Sequence, residues 1–376
     1  MDEFPIGPLG TLITETSTFK QTLGAGLRTG GSFGQTRYLA PEVPRTRQRD
    51  YHTGVTDKFR ELPPPGPAWG GSLMGTSIVA RLLVEEEMMV AAGVFAAIAC
   101  AILLVLTAGF LRYHFPRFER TTMAAWSMYF IGILALGAAL SGLTGNGAFR
   151  LIGFWIGAPL TILTYTIQLR KFEGKPQFTW GLPLVGPMIS ASVAGWLARD
   201  YGQFYHVVGT VLFFMSILTA VPTFAYVYWA AWHKRVDLTG ANSATAWVPL
   251  GVVGQSTTAV QIMYPGTFSV WYGYVALTLS IPLAIWVMVQ FYPNVARWVD
   301  YSPAWWSCTF PTGTVSMGGH QVAQVNGSHW LDAVALSIPA LLIVHWALCS
   351  SRFLTWAFAS RRFDAPPTKR IPATAR

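Results

Sequence analysis

The chain has 376 residues, of which 52% are hydrophobic, 14% aromatic and only 11% charged, against roughly 25% charged in an ordinary soluble domain. That composition excludes a soluble protein and indicates a membrane one. The net charge of +9 does not indicate a nucleic-acid partner, because the basic residues are spread through loops and tails instead of interleaving with aromatics on one face.

Residues 1–66 come first and are rich in Gly, Thr and Pro, ending in Pro63-Pro64-Pro65. They read as a cytoplasmic tail, largely disordered alone, on a stiff proline tether, and open to a protein partner. Met1 is followed by Asp2 and Glu3 with no apolar run behind them, unlike a signal peptide. Crossing a hydrocarbon core about 30 Å thick then takes about 20 apolar helical residues. Ten segments meet or approach that need: 67–84, 88–111, 122–143, 148–169, 181–198, 203–232, 245–263, 268–291, 303–322 and 329–357. The first and fifth are short and interrupted by Gly and Pro. A basic tail over 358–376 closes the chain, suited to anionic lipid headgroups.

Loop charge orients these spans, since Lys and Arg collect on the cytoplasmic side. Loops after even-numbered spans carry Arg112, Arg117, Arg120, Arg170, Lys171, Lys175, Lys234, Arg235 and Arg297; those after odd-numbered spans carry only Arg81, Arg150 and Arg199. Both termini are therefore expected in the cytoplasm of a multi-pass protein of the cell membrane, with those three arginines as charge at an outer mouth. They face Glu85, Glu86 and Glu87, and each could equally be an interfacial anchor.

The spans differ in kind. Even-numbered ones, such as 95–106, are almost uniformly apolar and read as lipid-facing. Odd-numbered ones concentrate Gly, Ser, Thr and Pro, as in Met74-Gly75-Thr76-Ser77 and in 249–258. Broken, polar helices are tolerated at membrane depth where they pack in protein or border a wet cavity. The expected fold class is all-α: ten transmembrane helices in five hairpins, the odd-numbered ones forming an inner ring around a central pore. Close helix packing is the competing explanation for the small residues. The candidate pore-lining residues are Met74, Gly75, Thr76, Gly137, Pro187, Met188, Ser190, Pro249, Gly254, Ser256, Thr309, Pro311 and Thr312.

No Asp, Glu, Lys or Arg lies deep in an odd span, which disfavours a carboxylate-based pump or cation site. His206, His320 and His329 fall near span ends, and His345 is expected to be a hydrogen-bonded packing residue. With the histidines scattered and Cys100, Cys308 and Cys349 lacking metal-ligand spacing, neither a metal, a cofactor nor an enzyme activity is expected. An uncharged pore with positive mouths suits anions.

The segment Pro303-Ala304-Trp305-Trp306-Ser307-Cys308-Thr309-Phe310-Pro311 resembles the Trp-Trp-x-x-Thr-Phe-Pro stretch of the tellurite-resistance/dicarboxylate transporter family, which includes TehA-like proteins and the plant slow anion channels. Pro67-Ala68-Trp69 with 74–79, and Pro187-Met188-Ile189-Ser190-Ala191, are similar to two further motifs of that family. The resemblance implies ten helices around a pore, a homotrimer with one pore per subunit, and a phenylalanine plug. The matching position is Phe310, an aromatic ring that would make one apolar constriction in a polar-lined tube and gate it by dewetting. Ser77 and the proline-free Trp126-Ser127-Met128 depart from the family pattern. The function expected is transport of chloride, nitrate, sulfite, tellurite or short dicarboxylates; the alternative is a non-transporting scaffold subunit whose tails recruit partners.

Overall fold

The computed structural model describes residues 62–363. The expected N-terminal tail lies outside the described residues up to position 61, and the basic C-terminal tail from position 364. Among the described residues there are ten α-helices: α1 Gly70–Glu85, α2 Met89–Tyr113, α3 Met123–Thr144, α4 Gly147–Arg170, α5 Gly181–Tyr201, α6 Gln203–Trp232, α7 Val248–Met263, α8 Thr267–Ala296, α9 Thr309–Asn326 and α10 His329–Phe363. These match the expected segments in number and order.

Every odd-numbered helix is entered through a 3-10 turn: Pro67–Trp69, Arg120–Thr122, Phe178–Trp180, Gly240–Trp247 and Pro303–Cys308. Pro67, Pro249 and Pro303 sit in the first positions of their turn or helix, where the missing N–H costs nothing and the ring pre-sets φ. Indole N–H groups tie these entries to nearby loops. Trp69 donates to the Pro63 carbonyl at 3.0 Å, Trp180 to that of Glu173 at 3.0 Å, Trp126 to that of Arg117 at 3.3 Å and Trp305 to that of Asp300 at 3.3 Å. A ring that is apolar at one edge and bonded at the other suits an interface between lipid and water.

Seven helices, α2, α3, α4, α5, α6, α8 and α10, are long and apolar enough to cross a membrane. The short fifth segment belongs to this group once its 3-10 entry is included. Helices α1, α7 and α9 do not, because they are shorter or richer in Gly, Ser, Thr and Gln. Each odd helix packs against the even helix that follows it. Odd helices also pack against one another, α1 with α3, α3 with α5, α5 with α7 and α7 with α9, and α9 returns to α1. The odd helices are buried along most of their length, whereas the even ones expose Leu104, Val211, Leu279 and many similar side chains.

Candidate functional site

Two small cavities lie among the odd helices. The first, about 20 Å³, is lined toward the N-terminal ends of those helices by Gly71 and Met74, Met128 and Ile131, Leu182, Val185 and Ile189, Val248 and Gly251, and Trp306, Ser307, Phe310 and Pro311. The second, about 50 Å³, is lined further along the same helices by Ile78 and Arg81, Ala135 and Ala138, Ile189, Ser192, Val193 and Trp196, Gln255 and Thr258, and Phe310 and Met317. Phe310 and Ile189 belong to both, and both are almost completely buried.

The residue numbers explain why. In α1 the lining positions run 71, 74, 78, 81; in α3, 128, 131, 135, 138; in α5, 182, 185, 189, 192, 196; in α7, 248, 251, 255, 258. Steps of three and four keep one face of an α-helix pointing in one direction. Each odd helix therefore contributes a single stripe to both cavities, and α9 adds Phe310 at the level where they meet.

Four of the residues expected from sequence reach these cavities: Met74, Phe310 and Pro311 the first, Phe310 and Arg81 the second. Others are taken into seams between helices. A side chain on Gly75 would collide with Thr309, one on Gly137 would come 2.7 Å from the Phe149 carbonyl oxygen, and one on Gly254 would meet the backbone of Thr314. Thr76 accepts a bond from the Trp346 indole at 3.0 Å, Ser190 pairs with Thr161 of α4 at 3.0 Å, and Thr312 pairs with His345 of α10 at 3.2 Å. Thr309 and Ser256 return their hydroxyls to carbonyls of their own chain at Trp306 and Val253. Pro187, Met188 and Pro249 are buried and line neither cavity. Most of the small and hydroxyl residues expected to line a pore thus serve helix packing instead, and the first cavity is walled largely by Met, Ile, Leu and Val, while the second carries Arg81, Ser192, Gln255 and Thr258. His345 is the packing residue expected, its second nitrogen 3.0 Å from the Tyr292 hydroxyl.

The three arginines expected at one mouth do come together. Arg81 forms an ion pair with Glu85 and lines the second cavity. Arg150 and Arg199 both lie over the ring of Trp196, at 5.2 and 4.5 Å, and Trp196 lines the same cavity. Beside Arg81 in that wall, Ser192 of α5 donates to Gln255 Oε1 of α7 at 2.9 Å. Sequence reasoning did not single out Ser192, Gln255, Ile189 or Trp196, because a three-and-four spacing fits every face of a helix and selects none.

A second grouping was also missed, because the histidines are not all isolated. His320 lies with Nδ1 2.6 Å from Asp332 Oδ1 and Nε2 3.6 Å from Glu85 Oε2, and Gln324 approaches Nε2 at 2.6 Å. Glu86, just past α1, has its carboxyl pushed up by burial, against the opposing pull of His320.

Residues 66–354, which take in all the helices but the end of α10, match the family model described as voltage-dependent anion channel, SLAC1. The chain belongs to that family. No curated protein matches the chain. As a member of the SLAC1 family with seven helices apolar enough to cross a bilayer, it is a multi-pass membrane protein.

Proposed function

We propose that the chain carries small anions across a cell membrane along the axis its odd-numbered helices share, past a gate at Phe310. The observation that carries this reading is the common stripe, in which all five odd helices turn one face to the same two cavities and Phe310 belongs to both. In this reading the ten helices are ten crossings in five hairpins, with the odd ones as an inner ring. Helices α1, α7 and α9 need little lipid-compatible surface there, which fits their shortness and polarity. Loop charge argues for both termini in the cytoplasm and for the second cavity, with Arg81 in its wall, on the outer side. A homotrimer with one path per subunit and an N-terminal tail open to a protein partner complete the proposal.

The chemistry follows from the walls. An anion entering from the outer side meets the Arg81 guanidinium and the Ser192, Gln255 and Thr258 side chains, which replace part of its water shell. Beyond Phe310 the lining is almost wholly apolar, so the closed ring blocks passage by sterics and leaves no polar path for water. Chloride, nitrate, sulfite, tellurite and short dicarboxylates are the cargo to compare.

Purified full-length protein in liposomes tests the gate. Phe310→Ala is expected to raise chloride or nitrate flux about tenfold, the effect of lowering a barrier by about 1.4 kcal/mol. An unchanged or smaller flux removes Phe310 from the gate. No flux above empty liposomes, for wild type and variant alike, favours a scaffold that recruits partners through its tails.

A further inference from the structure

Arg81 stands between two competitors. On one side its guanidinium lines the second cavity with Gln255 and Ser192; on the other it is held by Glu85, four residues along the same helix. A guanidinium has five N–H donors, so the pair with Glu85 leaves some of them for the cavity. Glu85 is in turn shared, since its other oxygen faces His320 Nε2 at 3.6 Å, across from α9. The remaining nitrogen of that ring faces Asp332 of α10 at 2.6 Å. A neutral imidazole offers one N–H, whereas an imidazolium donates from both nitrogens. The Gln324 amide also lies 2.6 Å from Nε2; with its oxygen turned to that nitrogen it accepts from a protonated ring, and with a carboxylate facing each nitrogen the ring can then hold the second proton.

We propose that the second cavity takes up a small anion and a proton as a pair, the anion at Arg81 and the proton at His320, with Glu85 contested by both. This deepens the anion-path reading and rests on it for the anion being cargo. When His320 is neutral, Glu85 has Arg81 as its main cationic partner and its negative charge opposes an anion in the cavity. When His320 takes a proton, Glu85 gains a second cation to bond, and the field it exerts on the cavity weakens. Anion binding at Arg81 then strengthens, and by linkage a bound anion raises the proton affinity of His320 equally. The part-exposed Asp332 carboxylate, bonded to the ring, gives the proton a way in from solvent.

The surrounding charges are few. Glu85 and Glu86 face the ring from the end of α1 and Asp332 faces it from α10; behind Glu85 lie Arg81 and Arg150. Helices α7 and α8, which also pack on α9, contain no Asp, Glu, Lys, Arg or His.

The test is nitrate binding to the purified full-length chain, read as the Kd obtained by fitting the rise in unfolding temperature with nitrate concentration c to a stabilisation of RT ln(1 + c/Kd). It is measured at about pH 5.5 and about pH 8, either side of the ordinary histidine range. Wild type is expected to bind nitrate on the order of tenfold more tightly at the acid pH, a typical coupling between two sites. His320→Gln should bind equally at both, Glu85→Gln should bind tightly at both, and Arg81→Gln should lose the nitrate-dependent rise. Should His320→Gln not fold, Asp332→Asn is expected to move the transition to more acid pH. The proposal is overturned by pH-independent wild-type binding, by wild-type pH dependence in His320→Gln, by its loss in Glu86→Gln instead, or by an unaltered rise in Arg81→Gln. Binding without flux in liposomes would sink the transport reading and leave the paired site standing; flux with pH-independent binding would do the reverse.

Discussion

Helices α5 and α2 have similar lengths and opposite fates. In its apolar stretch α5 is 89% buried while α2 is 22% buried, although α2 is the more apolar of the two by sequence. In water that order would be reversed. In a bilayer, lipid tails solvate Leu and Val as well as a protein core does, so apolarity gives no reason to leave the surface. Burial goes instead to helices whose small residues allow close approach and whose hydroxyls find partners on a neighbour.

The sharpest way to break this contrast is to enlarge one glycine of each kind. Gly254 of α7 lies against the Thr314 backbone of α9, whereas nothing comes within 4 Å of a side chain built on Gly93 of α2. Gly254→Leu is expected to cost at least about 3 kcal/mol, since backbone cannot yield as a side-chain end can. It should appear as aggregation in size-exclusion chromatography. Gly93→Leu should change stability by no more than about 0.5 kcal/mol, and equal losses for the two would refute the contrast.

A smaller effect is expected inside the buried set, at the level where the two cavities meet. Ile189→Ala opens both cavities but leaves the Phe310 ring in place. Its flux in liposomes should rise about threefold, as for a barrier lowered by about 0.7 kcal/mol, and stay below that of Phe310→Ala. A larger rise than Phe310→Ala would make Ile189 the principal constriction.

The last contrast is read in stability and not in flux, at one indole bonded to a neighbouring helix and one left exposed. Trp346→Phe removes the bond to Thr76 and should cost about 1 kcal/mol in thermal unfolding, with flux unchanged. Trp271, 67% exposed on α8, should tolerate the same substitution with a change within about 0.5 kcal/mol.

Much of the fold was legible in the order of residues. Composition declared a membrane protein, apolar runs marked out the helices, and the alternation of Gly- and Ser-rich with Leu- and Val-rich segments separated buried helices from exposed ones. Phe310 and Arg81, singled out by a motif and by loop charge, are among the residues that line the cavities.

What the order of residues did not carry was helical phase. Successive residues on an α-helix are rotated by about 100°, so Met188 and Ser190 face neighbouring helices while Ile189 between them faces the cavities. In the same way Gly254 and Ser256 flank Gln255, and Thr309 flanks Phe310. Composition selects the helix, but only its packed orientation selects the residue. Glu85, His320 and Asp332 show the same division from farther apart. Each reads alone as a polar residue near a span end, and they form one cluster only because α9 packs back against α1 and α10. The sequence by itself determined which segments are helices and which are buried. Tertiary packing decided which face of each helix meets the cavities and which distant charges meet, because both depend on rotations and contacts that no local pattern of residues encodes.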